Sequence, residues 1–474
     1  MDFEWSYFID LGVIAAALLI ATWIRTKVRF FQKFLIPNAL TAGFILLPFY
    51  NFLAPLLGMR TGGLESAIYH LLSISFIAMA LRSSTRKRRG RGVTSTATMI
   101  LASLSIQSLV GLGLTFILIA AFFPDLFPSF GLFVPLGYEL GPGQAFAIGQ
   151  GWETFGFKGA GSVGLAFAAF GFLWACFGGI FLINWGVRKG WLSRRALDAL
   201  KAKGLRSGVY ARDAELPVGS RLTTESEAVE TMAINLAVIM ASYLLTYLLL
   251  KLLTYLLSFA GDEGRELAVN LWGISFLFAT MIALGVRKIF EWVKADHILD
   301  DGTLTRVSGL AVDVLVAAAI GAISVSVVVK HWIPLLVIGL ISGVVTILYV
   351  PWLASRLFRD HHFERAIVLY GGSTGTMPTG LALLRSLDPN FETPAAMDYM
   401  YAQGITFVLV IPFILAINLV PSGFADGTPW KYWAAFGLIG AYILVVVVLL
   451  FILGGKKIFR KPGRLWAKKG SPSR

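Results

Sequence analysis

Long apolar runs alternate along this chain with short gaps in which the basic residues collect. Eleven runs approach or exceed the about 20 residues that a helix needs to cross a bilayer core. They cover 5–24, 34–57, 64–82, 94–123, 158–187, 230–260, 266–286, 307–329, 332–355, 394–420 and 430–454. Two further stretches, 128–156 and 362–391, fall between runs and are broken by Gly and Pro. The first contains Leu140-Gly141-Pro142-Gly143-Gln144-Ala145, and the second runs from Tyr370-Gly371-Gly372-Ser373 through Thr374-Gly375-Thr376-Met377-Pro378-Thr379-Gly380. Each has room for two half-helices of about ten residues joined at a tip. Backbone broken at membrane depth leaves N–H and C=O groups unpaired, so it must be buried in protein or line a wet cavity. Two such stretches, placed alike in the two halves of a chain, point to a transport site.

The gaps predict orientation, because Lys and Arg favour the cytoplasmic side. Arg25, Lys27, Arg29 and Lys33 follow the first run, Arg60 alone the second, and Arg82, Arg86, Lys87, Arg88, Arg89 and Arg91 the third. Arg188, Lys189, Arg194 and Arg195 follow the fifth, Arg287, Lys288, Lys294 and Arg306 the seventh, and Arg356, Arg359 and Arg365 the ninth. The N-terminus is therefore expected outside and the C-terminus in the cytoplasm. The alternation holds throughout when both broken stretches are re-entrant.

The predicted fold class is an all-α polytopic membrane protein. It has two inverted repeats of five transmembrane helices, each with a re-entrant hairpin, plus one extra C-terminal helix. The first repeat spans 1–187 with its hairpin at about 128–156, and the second spans 230–420 with its hairpin at about 362–391. A mixed-charge cytoplasmic linker, 188–229, joins them, with a short helix expected at 193–203. The additional helix is 430–454, and 455–474 is a basic cytoplasmic tail. The two tips are expected to enter from opposite faces and meet near the midplane.

Composition supports this reading. Hydrophobic residues make up 57% of the 474 and charged residues 14%, against roughly 25% charged in soluble domains. A net charge of +14 would also suit nucleic acid, but the basic residues sit in short runs between apolar segments. The single cysteine, Cys176, excludes an internal disulfide or a cysteine metal cluster and is read as a packing residue. Asp2 and Glu4 replace a basic leader, so the first run is expected to remain as a helix. The five histidines are scattered, and the adjacent pair His361-His362 lacks metal-ligand spacing. There is no His-Glu-x-x-His, no Ser–His arrangement, no paired intramembrane Asp and no phosphate loop, so the chain is not read as an enzyme.

The broken stretches carry the candidate chemistry. Half-helix N-termini offer N–H groups and positive potential to a carboxylate, and unwound carbonyls offer oxygens to sodium. The substrate- and ion-binding candidates are Gly141, Gly143, Gln144, Gly371, Gly372, Ser373, Thr374, Gly375, Thr376 and Thr379. Pro142 and Pro378 fix where each half-helix restarts. Glu139 and Asp313 are the intramembrane carboxylates that would couple transport to an ion. Asp10 and Lys251 are read as interfacial, and Glu153 and Lys158 as a pair at the outer mouth. In the fourth run Ser103, Gln107, Gly111 and Thr115 recur every four residues, a small polar stripe suited to close helix packing or to flanking the hairpins.

Several of these residues resemble the bacterial sodium:glutamate symporter family. The likeness covers roughly residues 5–420. It is carried by Ile36-Pro37-Asn38 to Ala42-Gly43, by Ala80-Leu81-Arg82-Ser83, by Gly151-Trp152 after the first broken stretch, and above all by Tyr370-Gly371-Gly372-Ser373-Thr374-Gly375-Thr376-Met377-Pro378-Thr379. The resemblance implies a homodimer with two five-helix repeats, an elevator-like cycle, and inward symport of glutamate with sodium. The chain departs from the family pattern in two places. It has Gly141-Pro142-Gly143-Gln144 where a Gly-Gly-His-Gly-Thr type motif is expected, and it adds the eleventh run.

The expected function is sodium-coupled symport of glutamate or a related small carboxylate, with no cofactor beyond sodium as coupling ion. The alternatives are a citrate-like or other organic-anion symporter, and an ion channel that uses the hairpins as a filter. No Arg or Lys lies at either tip. A dicarboxylate would therefore depend on helix N-termini and hydroxyls.

Overall fold

Helix is the only regular structure among the described residues. The computed structural model describes residues 5–82, 90–192, 196–197, 208–209, 212, 218–259, 261, 264, 268, 271–388, 392–455, 458 and 463–466. The helix expected at 193–203 falls almost wholly outside them, as do Arg86, Lys87, Arg88 and Arg89.

The first half contains α1 (Ser6–Lys27), α2 (Asn38–Pro48, continued by tighter and wider turns to Leu57), α3 (Gly62–Ala80), α4 (Arg91–Ala121), α5 (Pro142–Glu153) and α6 (Ala160–Leu173). A π-helical turn, Trp174–Gly178, carries α6 on to Arg188 and holds the buried Cys176. The second half contains α7 (Thr231–Ser258), α8 (Ser275–Trp292), α9 (Asp301–Gly321), α10 (Trp332–Leu357), α11 (His362–Gly372), α12 (Met377–Arg385), α13 (Pro394–Ala425) and α14 (Pro429–Gly454).

Nine helices among the described residues are long and apolar enough to cross a membrane, fewer than the eleven expected. A tenth, α13, is bent by 52° between Thr406 and Leu409. Pro412 explains the bend, because it has no N–H for the carbonyl four residues back and its ring crowds that turn. The run expected at 266–286 differs most. It begins partly outside the described residues, and its helix, α8, has 18 residues and three charges in its last turns, Arg287, Lys288 and Glu291. The run expected at 307–329 is also displaced. Asp300 caps α9 early by accepting from the Thr303 N–H at 2.7 Å, and α9 ends at Gly321 before a separate short helix, Val325–Lys330.

The helices sort into two packed groups. In one, α9 lies against α3 and α2, with α1, α7 and α8 around them. In the other, α4 is central, packed by α10, α13 and α14, and this group includes both broken segments with α5, α6, α11 and α12. Burying α4 in apolar surroundings requires its many hydroxyls to be satisfied. Thr96, Thr98, Ser105, Ser108 and Thr115 each donate to the carbonyl four residues back. The groups meet along a narrow seam where α3 and α9 touch α5.

Candidate functional site

Each broken segment interrupts its helix for a local reason. In the first, a wide turn over Pro135–Leu140 leads to Gly141, whose φ of 100° is open to glycine and strained for other residues. Pro142 then starts α5, where its missing N–H costs nothing. In the second, α11 ends at Gly372, the chain turns through Ser373–Gly375, and Thr376 leads into α12 with Pro378 in its first turn. The two arms of this second segment cross closely: a methyl on Gly371 would stand 2.8 Å from the Gly380 Cα.

The two tips touch. A methyl added to Gly141 would lie 3.2 Å from Thr376 Cγ2 and 4.0 Å from the Gly375 carbonyl oxygen, with Gln144 Oε1 at 3.7 Å. Helices α5 and α12 therefore begin at the same place. Neither Gly141 nor Thr376 gives a side-chain cap to the first-turn N–H groups. Such uncapped starts turn N–H groups and positive potential toward whatever lies between them. Thr376 and Thr379 add hydroxyls 3.1 Å apart. On one side the second tip is open: Thr376 and Met377 are half-buried and Pro378 is exposed, whereas Gly141 to Gly149 are buried.

The remaining candidates face elsewhere. Gly143 packs on Leu72 of α3 and Leu315 of α9, so the first tip rests on the other helix group. Gly372 lies against the Tyr399 hydroxyl, the Thr374 carbonyl against Gly171, and Thr374 Oγ1 donates to the Tyr370 carbonyl at 2.8 Å. Ser373 turns toward α4. Its hydroxyl lies 3.0 Å from the Ser103 hydroxyl, and its carbonyl accepts from Gln107 Nε2 at 2.7 Å. Gln107 also donates to Thr346 Oγ1 of α10 at 3.4 Å, and Gly111 packs backbone to backbone on Gly131 at the start of the first broken segment. The polar stripe on α4 thus binds the second segment and packs the first.

Other expectations shift. Asp313 is exposed on α9, and no hydrogen bond or ion pair joins it to the tips among the described residues. Glu153 accepts from the Gly161 N–H at 3.2 Å and makes no ion pair with Lys158. Asp10 accepts from the Tyr50 hydroxyl, which anchors α1 to α2. Two arginines taken as cytoplasmic surface charges are buried. Arg365 pairs with Asp398 at 2.8 Å, and Arg356 donates to the Arg464 carbonyl at 2.7 Å. Glu139 is buried behind the tips beside Ser103 and Ser373. Sequence reading passed over Tyr349, Tyr399 and Tyr442, whose hydroxyls lie within electrostatic reach of Glu139. A tyrosine inside an apolar run was the signal available, since a buried hydroxyl needs a partner.

No curated protein and no solved structure matches the chain. The family model for sodium/glutamate symporters matches residues 6–392, which takes in both tips and the stripe on α4. With that match over most of its length, this multi-pass membrane protein belongs to the sodium/glutamate symporter family.

Proposed function

We propose that the chain is a secondary active transporter that carries glutamate or a related small carboxylate inward with sodium across the plasma membrane. The carrying observation is the meeting of two interrupted helices, Gly141 against Thr376, with two uncapped helix starts side by side. Family membership supports sodium coupling. The solute's carboxylates take the N–H groups at Pro142–Gln144 and Met377–Thr379 that the prolines leave available, together with the Thr376 and Thr379 hydroxyls. Gly375 lets the backbone approach the solute closely.

The inverted-repeat reading draws support from the helix groups. The first three helices of each half, α1–α3 and α7–α9, form one group, and the remaining helices of each half form the other. An elevator-type cycle would slide the second group, with its tips, past the first. The broken segments are then re-entrant from opposite faces, the N-terminus lies outside, the C-terminus lies in the cytoplasm, and the working unit is a homodimer.

Uptake of labelled glutamate into proteoliposomes, with and without an inward sodium gradient, tests this reading. Sodium-dependent accumulation is expected. Sodium-driven uptake of a different carboxylate, with none of glutamate, would reassign the solute to the citrate-like class. Flux that never saturates would point to a channel.

A further inference from the structure

Behind the tips lies a carboxyl that helix packing does not explain. Glu139 stands two residues before Gly141 and is 6% exposed. Among the described residues neither of its oxygens makes a hydrogen bond of full geometry, although the Ser103 and Ser373 hydroxyls are near enough to donate. The buried guanidiniums are engaged elsewhere: Arg365 with Asp398, Arg287 with Glu291 and Asp296, and Arg356 with the Trp352 and Arg464 carbonyls. Its surroundings are neutral and rich in oxygen. Ser103 of α4 and Ser373 of the second tip lie beside it, and Tyr349 of α10, Tyr399 of α13 and Tyr442 of α14 lie within its electrostatic reach. Among the described residues the Tyr442 hydroxyl and the Gln107 carbonyl oxygen are likewise buried with no partner of full hydrogen-bond geometry.

A carboxylate in such a site is strongly unfavourable unless it takes up a proton or a cation joins it. Oxygen donors without nitrogen or sulfur suit a hard cation. The carboxylate oxygens, the Gln107 carbonyl and the lone pairs of the neighbouring hydroxyls are what an ion would draw on, and Glu139 and Ser373 bring both broken segments to the site. We infer that Glu139 is the anchor of a sodium site behind the tips, closed on one side by Ser373 and on another by Tyr442 of the C-terminal helix. The inference rests on the transporter reading for its role in the cycle and deepens it. Sodium bound there holds the second tip against the first and so readies the N–H groups for solute.

The test uses the full chain in detergent, with sodium chloride as probe and potassium and choline chloride as controls. An ion that binds the folded state raises the unfolding temperature. Sodium alone is expected to raise it in the wild type. In Glu139→Gln, which keeps the shape and removes the charge, the sodium concentration giving half the shift should rise about a hundredfold. Glu153→Gln, at a carboxylate that accepts from the Gly161 N–H, should respond as the wild type does. Should Glu139→Gln fold poorly, Tyr442→Phe supplies the second reading, with an expected weakening of about threefold.

A wild type that gains nothing from sodium, or a Glu139→Gln protein that keeps its full response, overturns the inference. Glutamate uptake is scored separately. A sodium shift lost in Glu139→Gln without glutamate uptake would sustain the site and remove the proposed solute. Uptake without any sodium shift would do the reverse.

Discussion

The two broken segments are held in place differently by similar residues. The first tip, Gly141 to Gln144, is buried and wedged by Gly143 against Leu72 and Leu315 of the neighbouring helix group. The second tip, Ser373 to Thr376, is tied to α4 through Ser373, while Pro378 beside it faces open space. Glycine at the first tip answers a backbone angle, and glycine in the second answers the crossing of its arms at Gly371 and Gly380. One tip is packed against the neighbouring helix group, and the other is open on one side.

That contrast can be broken most sharply at Gly141. Gly141→Ala forces a side chain onto a backbone conformation that costs about 1–3 kcal/mol, and its methyl presses on Thr376 Cγ2. Sodium-driven uptake is expected to fall about a hundredfold with the protein still folded. An unchanged rate would refute the part given to the first tip in transport.

Next in size is Gln107→Leu, which leaves the Ser373 carbonyl without its donor. The expected loss is about 1–3 kcal/mol of stability, seen as an earlier thermal transition and as faster protease cleavage at the second tip. Cleavage at the first tip should not change.

Asp300→Ala removes the cap of α9, the helix whose Leu315 supports the first tip. A loss of about 1 kcal/mol is expected at neutral pH. Burial opposes ionisation of Asp300, but hydrogen bonds from Thr303 and from the Arg221 and Gly302 N–H groups outweigh it and hold the carboxyl below the usual carboxylate range. A depressed folded value means that this stabilisation is present above the ordinary value of about 3.9 and disappears as pH falls through the folded one. The gap between wild type and variant should therefore close in acid, as followed by thermal unfolding.

The smallest effect is expected at Gly375→Ala. Its φ is not positive, and the added methyl would stand 3.2 Å from the Gly371 carbonyl oxygen and from Thr379 Cβ, so small shifts suffice. Uptake should fall less than about tenfold, a cost under about 1.4 kcal/mol. A loss matching that of Gly141→Ala would erase the distinction between the tips.

Much of this was legible in the sequence, and the reasons are local. Gly and Pro at 141–143 and 371–380 mark the breaks because few other residues make them, and the four-residue spacing from Ser103 to Thr115 marks the face of α4 that meets both segments. Helix ends were less legible, since they follow single capping or interrupting residues: Pro37 before α2, Asp300 before α9 and Pro412 within α13. The surroundings of Glu139 were not legible at all. Tyr349, Tyr399 and Tyr442 belong to three separate runs, and no periodicity within one run reports a meeting among three. Arg356 and Arg365 misled in the other direction, because a basic residue near a helix end reads as solvated until its buried partners are known.

The family match stops at residue 392, yet α13 and α14 lie beyond it and pack on α4. Asn418 of α13 accepts from Trp152 at the end of α5 at 2.6 Å. A version of the chain ending at residue 392 would take away two of the helices that pack on α4. The packed unit extends past the matched residues.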